Sequence, residues 1–477
     1  MRGEHAIPFK SASCREKYSN DIAALGAAHW HERCQLIGQA ARDGQWLGPT
    51  VRMALDHRGG HTRDMVENSG FPFSWPISPE SIAQETAGFE RDLARAEAAR
   101  GPDARPVLAA RSRLGRAYRC AGRYQDAIAL QQENLQESLR VLGPDHRETL
   151  VATAGLGATL LVAGRLTDAV AALANGSAGL DGVAGADHPD AISARSALGV
   201  ALLQTGDPAR ARPLLQQALS SSIRVLGPDH PDTIACRDAQ VMEHLAAGTA
   251  GLALKLAKRN VAAAQRAFPS GHPDEIACRS SLGMTYRATG RAADAITVHK
   301  RTCADYERVL GPGHPLTVSE RATLGTTYLR AGKYQAAIPL LEHAAADLDR
   351  LIGAGHPTTL ACRTTLGTAY VNAGRAAEAV PVLKRVSAAS ERVFGPDARA
   401  TLNTRGSLAR AYAGTKRWQK ATVLYRHVLA DYERTLGPDH SMTRQYRDIV
   451  AQLPPWWLRA LSPVIRTTRR WRQRREP

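Results

Sequence analysis

Apolar positions along most of this chain recur with the spacing of amphipathic helices. In residues 353–394, Leu360 and Tyr370 lie on one face of a predicted helix, and Ala379 and Leu383 lie on one face of a second. A glycine follows each of the two segments, as at the ends of many helices. The pattern therefore predicts two consecutive helices joined by a short turn.

The same two-helix pattern returns along the chain with a fixed period. The heptapeptide RVLGPDH stands at 140–146 and again at 224–230, and a histidine marks the same point of successive copies, 42 residues apart. These residues are His146, His188, His230, His272, His314, His356 and His440, with Ala398 in the equivalent place of one copy. Such a period indicates a stacked array of about eight helix-turn-helix modules.

Two further positions are nearly invariant among the copies, and each has a steric reason. A glycine between the two helices can adopt the positive φ that a short turn requires; it is found at 122, 164, 206, 248, 290, 332 and 374. An alanine on the second helix permits a close helix crossing; it is found at 127, 169, 211, 253, 295, 337, 379 and 421. The copies therefore share one packing arrangement.

The pattern LG…Y…G(R/K)…A over residues 79–452 resembles the tetratricopeptide repeat, in the longer kinesin-light-chain-like variety that is common in bacterial multi-repeat proteins. The resemblance implies an all-α, right-handed α-α superhelical solenoid of about eight 42-residue repeats. It also implies a concave groove that binds a peptide or protein segment. Residues 231–272 depart from the pattern, with Gln240-Val241 in place of Leu-Gly, which suggests a looser copy or a bend.

The repeat divides the chain into three parts. Residues 1–78 form an N-terminal non-repeat segment that is expected to be partly helical, with a helix near 21–42. Residues 79–452 form the solenoid, which opens and closes on half-repeats. Residues 453–477 form a basic tail rich in Trp and Arg.

Charge and cysteine content restrict the partners and the compartment. The 477 residues carry a net charge of +17, which favours an acidic peptide, nucleic acid or an anionic membrane as partner. Seven cysteines without a disulfide framework are typical of a reducing compartment. No secretory signal and no apolar stretch of about 20 residues is visible, so we expect a cytoplasmic protein without a transmembrane segment.

Candidate chemistry is sparse. The in-phase histidines form a row rather than a converging cluster, so we interpret them as helix caps and not as metal ligands. Near the N-terminus, Cys14, His29, His31 and Cys34 match no defined zinc motif. Neither GxSxG nor HExxH nor a glycine-rich phosphate loop is present. The sequence predicts no enzyme and no cofactor, and an activity or metal site in residues 1–78 is the remaining alternative.

A second row of in-phase residues consists of arginines on the first helices. They are Arg111, Arg195, Arg237, Arg279, Arg321, Arg363, Arg405 and Arg447. In one interpretation each arginine pairs with an acid of a neighbouring helix, such as Glu307, Glu391 or Glu433. In the other the arginines contact a ligand.

The opposite face of the first helices is the candidate groove, where small polar residues leave room for an extended peptide and arginines suit its carboxylates. The candidate residues are Arg113, Arg116, Gln204, Ser281, Thr323, Thr326, Arg330, Thr365, Thr368, Asn372 and Arg410. An ordinary solvated helix face is the alternative. The leading prediction is a non-catalytic protein-protein interaction scaffold.

The tail provides the basis for another prediction, a regulatory protein whose tail contacts nucleic acid or an anionic membrane. Its basic residues are Arg459, Arg466, Arg469, Arg470, Arg472, Arg474 and Arg475. A disordered solubilising tail fits the same composition.

Overall fold

A computed structural model describes residues 77–100 and 105–453, which form helices and short turns without a β-strand. The eighteen helices of these ranges are α1 Pro79–Arg100, α2 Arg105–Cys120, α3 Tyr124–Leu142, α4 Arg147–Val162, α5 Leu166–Val183, α6 Pro189–Thr205, α7 Pro208–Leu226, α8 Pro231–Ala246, α9 Ala250–Ala267, α10 Pro273–Ala288, α11 Ala292–Leu310, α12 Pro315–Arg330, α13 Tyr334–Ile352, α14 Pro357–Asn372, α15 Ala376–Phe394, α16 Arg399–Gly414, α17 Trp418–Leu436 and α18 Ser441–Gln452.

The helices form eight antiparallel pairs, from α2/α3 to α16/α17, numbered here as repeats one to eight. The even-numbered helices are the first helices of their repeats and the odd-numbered ones the second helices. Helix α1 precedes the pairs as an isolated second helix, and α18 follows them as an isolated first helix. This confirms the predicted all-α superhelical solenoid of about eight 42-residue repeats.

The recurring histidines are the N-caps of the first helices. In each of seven copies, Nδ1 of the histidine accepts a hydrogen bond from the backbone N–H two residues later, at 3.1–3.2 Å. A cap of this kind satisfies a backbone donor that the helix itself leaves unpaired. Ala398 occupies the same place before α16 and provides no side-chain cap.

The glycine between the two helices adopts the predicted left-handed conformation. In seven copies its φ lies between 72° and 87°, and in the eighth copy Lys416 takes its place with a φ of 62°. A non-glycine residue in this region is strained by about 1–2 kcal/mol. The turn therefore fixes the backbone shape in all eight copies, even where glycine is absent.

The two helices of a repeat cross at a glycine opposite a larger side chain. A Cβ atom added to Gly325 would lie 2.8 Å from Cγ of Leu341, so only glycine fits. In repeat four the sizes are exchanged, since Val241 replaces the glycine and the facing residue is Ala257, and both are buried. The looser packing suggested by the sequence is therefore wrong for this crossing.

Successive turns of the superhelix contact each other, with five repeats in each turn; we call this contact closure. Nε2 of His314, at the start of α12, donates to the carbonyl of Cys120 at the end of α2, at 3.0 Å. Nε2 of His356 donates to the carbonyl of Val162 one repeat later, at 3.1 Å. Both contacts join residues 194 positions apart, so the ends of the first helices in repeats one and two lie on the starts of those in repeats six and seven.

The first described residues make a third contact of this kind. Ile77 and Ile82 pack in one apolar cluster with Tyr306, Val309 and Leu310 at the end of α11. The upstream turn of the superhelix therefore covers part of the downstream turn.

The first helices of the middle repeats are buried along most of their length. Every residue of α6 from Asp190 to Leu202 is buried, and α8 and α10 are nearly as enclosed. The core of the protein thus lies along the superhelix interior as well as between the paired helices.

Candidate binding surface on the concave face

The concave positions differ in chemistry between the middle and the end of the array. In repeats three to five they are mostly small or apolar and are buried, as with Ala197, Val200, Ala239, Met242 and Met284. Such side chains pack against one another and leave little to bind a polar ligand. These repeats therefore offer few accessible polar side chains on this face.

The predicted groove residues fall into three classes of exposure. Arg113 is exposed, whereas Ser281, Thr326 and Thr365 are buried. The remaining seven are half-buried: Arg116, Gln204, Thr323, Arg330, Thr368, Asn372 and Arg410. The structure therefore distributes these residues over several environments instead of one continuous accessible surface.

The buried members have hydrogen-bond partners inside the protein. The hydroxyl of Ser281 donates to Oδ2 of Asp238 on α8, at 2.9 Å. Those of Thr326 and Thr365 donate to backbone carbonyls of their own helices, at 2.9 and 3.0 Å. These bonds satisfy the hydroxyl donors without a ligand.

The half-buried members concentrate in repeats six to eight. Thr323 and Arg330 lie on α12, Thr368 and Asn372 on α14, and Arg410 on α16. Adjacent layers are linked at this face, because the hydroxyl of Thr364 lies 3.1 Å from that of Thr404. The three helices therefore present polar and basic side chains side by side.

Positive charge accumulates at the repeat-five end of this surface. Burial, together with the nearby charge of Arg330, lowers the pKa of the Arg287 guanidinium to about 9, while Glu320 acts in the opposite direction. A pKa lowered by a neighbouring cation means that the two positive charges repel each other there. An anionic group bound at this end would relieve that repulsion.

The row of arginines on the first helices has a structural role. Arg321 binds Glu307 and Asp347 at 2.8 and 3.1 Å, and Arg405 bridges the equivalent acids, Glu391 of the preceding repeat and Asp431 of its own. Arg447 binds Glu433 at 2.8 Å. The pairing with acids at 307, 391 and 433 is thus confirmed. The second partners of Arg321 and Arg405, which are Asp347 and Asp431, were not predicted, although the two acids occupy the same repeat position.

The most buried arginines of this row are also paired. Arg195 is almost fully buried and forms an ion pair with Asp181. Arg237 has no acid in the equivalent place, which is taken by Ile223, and instead donates to Oδ1 of Asn260 and to the carbonyl of Pro228. Each guanidinium thus stabilises the contact between consecutive repeats.

A buried polar network in repeats five and six was not predicted from the sequence. The Nδ1 atom of His299 lies 2.7 Å from Oε1 of Glu320, and the hydroxyl of Ser280 donates to Oε2 at 2.6 Å. His299 stands where most other copies have leucine. In the sequence, the only sign of this network is a histidine at a repeat position that is usually apolar.

The cysteines of the described residues are buried and unpaired with one another, at 120, 236, 278, 303 and 362. Burial raises the pKa of the Cys236 and Cys362 thiols to about 12, so both remain protonated and unreactive. No group of His, Cys, Asp and Glu in the described ranges could hold a metal ion. Nor is any helix there long and apolar enough to span a bilayer.

Two sets of candidates lie outside the described residues. These are the Cys/His group at Cys14, His29, His31 and Cys34 and the seven tail arginines from Arg459 to Arg475. The predictions attached to them, a metal site and binding of nucleic acid or an anionic membrane, stay predictions.

Solved structures with similar folds include other helical repeat proteins. A putative kinesin light chain with tetratricopeptide-like repeats from Podosopora anserina is 26% identical, over 43% of this chain and 98% of its own, with a TM-score of 0.38. BtubC (BKLC) from P. vanneervenii is 16% identical, over 47% and 90%, with a TM-score of 0.38. The Cut9-Hcn1 hetero-tetramer of APC/C is 15% identical, over 78% and 60%, with a TM-score of 0.51. No curated protein matches the chain.

Sequence profiles of the tetratricopeptide repeat match in five places. One profile matches residues 106–175, 318–392 and 364–434, and a second matches 192–232 and 276–316. Together they cover more than half of the chain and lie within the helix pairs described above. The chain belongs to the tetratricopeptide repeat family.

Proposed function

We propose that this chain is a non-catalytic scaffold that binds an extended protein or peptide segment along the first helices of repeats six to eight. The observation that carries the proposal is the contrast in accessibility along the concave face. Five polar or basic side chains of this face are half-buried on α12, α14 and α16, whereas the middle repeats carry mostly small or apolar residues at the equivalent positions. The accessible polar side chains of this face are therefore concentrated in repeats six to eight.

The chemistry of this surface favours an acidic segment. Arg330 and Arg410 supply guanidinium groups, which bind carboxylates through charge-assisted hydrogen bonds. Thr323, Thr368 and Asn372 are small and leave space for an extended backbone. Affinity would arise from several layers, each contributing a few contacts to one ligand, as repeat proteins with extended binding surfaces do.

A library of acidic peptides labelled for fluorescence polarisation tests this proposal. We expect binding that weakens with added salt, because the contacts are partly ionic. The double variant Arg330→Glu/Arg410→Glu should reduce the affinity at least about tenfold, or roughly 1.4 kcal/mol. Circular dichroism would establish that the variant is folded.

A matched control reverses two charges elsewhere. Lys384 and Arg385 are exposed on α15, a second helix, so Lys384→Glu/Arg385→Glu changes the net charge equally without touching the concave face. This control should keep wild-type affinity. Equal losses in both variants, or no binding of any peptide by the folded wild type, would contradict the proposal.

A further inference from the structure

The outer face of the second helices carries paired basic residues in repeats four, five, seven and eight. The dipeptide Lys-Arg recurs in one repeat position, at 258–259, 300–301 and 384–385, and Arg-His holds this position at 426–427. All eight side chains are exposed, and we call them the basic ridge. Seven of the eight are lysine or arginine, so the ridge presents a strong positive charge to solvent.

Packing between the helices does not require these charges. In repeats one to three the same position is neutral or acidic, with Gln-Glu at 132–133, Ala-Asn at 174–175 and Gln-Gln at 216–217. Those repeats form the same helix pairs. Repeat six has Glu342 at this position, which accepts a hydrogen bond from the hydroxyl of Tyr370 and interrupts the ridge. The positive charge is therefore a property of particular repeats and not of the fold.

The ridge cations lack the close ion pairs that other exposed arginines of this protein form. Arg266 binds Asp229 at 2.7 Å, and many further surface arginines bind an acid at similar distances. Within residues 77–100 and 105–453, the closest carboxylate to a ridge cation is that of Asp305, 3.9 Å from Nε of Arg301. The fold therefore neutralises other surface arginines and leaves the ridge charges available to a ligand.

The length and path of the ridge indicate the kind of ligand. Second helices of consecutive repeats lie at least about 10 Å apart, so the ridge extends over at least roughly 40 Å from repeat four to repeat eight. Because five repeats make one superhelical turn, the ridge follows the outside of the solenoid around most of a turn. A flat membrane can touch only part of such a path, and duplex DNA is stiff over about 50 nm. A flexible polyanion can follow it.

We propose that the basic ridge binds single-stranded nucleic acid through its phosphate backbone. Every nucleotide carries one phosphate, so a strand that follows the ridge offers an acceptor to each pair of cations, and arginine binds phosphate through two parallel hydrogen bonds. Contacts of this kind release counterions, so the affinity falls steeply with salt and does not depend on base sequence. The ridge lies on the second helices, so this inference is independent of the peptide-binding surface proposed on the first helices.

Fluorescence anisotropy of a labelled oligo(dT) strand, titrated with the full-length chain at several salt concentrations, tests the proposal. In the variant Lys384→Gln/Arg385→Gln, glutamine fits the position because Gln216 and Gln217 hold it in repeat three. Each phosphate contact of a single strand contributes about 0.7 to the slope of log K against log salt. We therefore expect the slope to fall by about 1.4 in this variant and by about 1.4 again when Lys258→Gln/Arg259→Gln is added.

The matched control removes two positive charges from the concave face. In Arg330→Gln/Arg410→Gln the slope should equal that of the wild type, while the ridge variant should keep the wild-type affinity for acidic peptides. The basic tail is present in every variant, so any contribution from it cancels in the comparison. Circular dichroism establishes that each variant is folded, and Lys300→Gln/Arg301→Gln replaces a ridge variant that is not.

Several results would overturn the proposal. These are an unchanged slope in the folded ridge variants, an equal fall in the slope of the concave-face control, and no binding of oligo(dT) by the wild type. Polyglutamate that competes as well as oligo(dT) at equal charge would assign the ridge to acidic polypeptides instead. Ridge-dependent binding of anionic phospholipid vesicles without binding of oligo(dT) would assign it to a membrane surface.

Discussion

Repeats six and seven begin with a histidine that makes two hydrogen bonds, whereas repeat eight begins with Ala398, which makes neither. In repeats six and seven, Nδ1 of the histidine caps the first helix of its own repeat. Its Nε2 donates to a carbonyl at the end of a first helix in the preceding superhelical turn. In repeat eight the helix starts with the same backbone conformation, φ −64° and ψ 138°, without a side-chain cap. The backbone of the turn therefore does not depend on the histidine, whereas two of the bonds between superhelical turns are made by it.

The largest expected effect of the capping histidines is on the response of the protein to acid. Burial lowers the pKa of His272 to about 3 and that of His356 to about 4, below the usual value near 6.5. Between pH 6.5 and about 4 the unfolded chain binds these protons and the folded chain does not, so folding stability falls as the pH falls. We expect a loss of about 3 kcal/mol or more from the two rings.

Urea unfolding at pH 7 and pH 4.5 measures this loss. The His356→Ala variant lacks one of the two groups and should lose clearly less stability over the same interval. Identical pH dependence in the variant and the wild type would show that the ring is not held neutral by burial.

Two turn glycines with similar backbone conformations distinguish the cost of disturbing the contact between superhelical turns from the cost of local backbone strain. A Cβ atom at Gly164 would collide with Pro357 of the adjacent superhelical turn, whereas one at Gly374 has no atom within 4 Å. Both glycines have similar φ, 76° and 79°, so alanine costs about 1–2 kcal/mol of strain at each. We expect Gly164→Ala to cost about 3 kcal/mol in total, and chemical unfolding of the two variants measures the difference. Equal costs would argue against contact between the turns.

The histidine caps themselves allow a finer comparison. His146 caps α4, and its side chain has only the cap bond in the structure, whereas His356 has the cap and the bond to Val162. At pH 7 we expect His146→Ala to lower the free energy of unfolding by about 1 kcal/mol. For His356→Ala we expect about 2 kcal/mol, because the bond to the carbonyl is lost as well. Thermal melts that rank the variants in the reverse order would contradict this assignment.

The smallest expected effect is a gain at repeat eight. Replacing Ala398 by His adds the cap that the other copies have, and we expect about 0.5–1 kcal/mol of stabilisation. Gln204 stands 194 residues earlier, the spacing of both closure bonds, so its carbonyl is the expected acceptor for Nε2. Urea unfolding of the Ala398→His variant checks the gain. A destabilised variant would show that the third closure position cannot hold a ring.

Local features of this fold could be predicted from the sequence because each involves residues that lie close together in the chain. The histidine caps, the positive-φ glycines such as Gly374, and the pairing of Arg321 with Glu307 all follow from residues at fixed short spacing. Comparison among the copies showed which positions the packing requires. The fold class and the arginine contacts were therefore accessible without a structure.

Closure of the superhelix could not be predicted in the same way. It depends on the small rotation between neighbouring repeats, accumulated over five of them, and no local pattern specifies that angle. Nor did the sequence reveal that Ser281, Thr326 and Thr365 are buried. The buried pair of His299 and Glu320 was missed because the two residues belong to different repeats and occupy unrelated positions.

The contact between the two superhelical turns is the central claim, because the predictions for Gly164, His356 and Ala398 rest on it. Spin labels on cysteines at Arg165 and Ala354, with Cys14 and Cys34 replaced by serine, measure it directly by electron double resonance. Both sites are exposed and flank the contact between Gly164 and His356. Closure predicts one population at roughly 20 Å or less, about two helix diameters. An open solenoid would place five helix layers between the labels, roughly 40–50 Å, and that result would contradict the account.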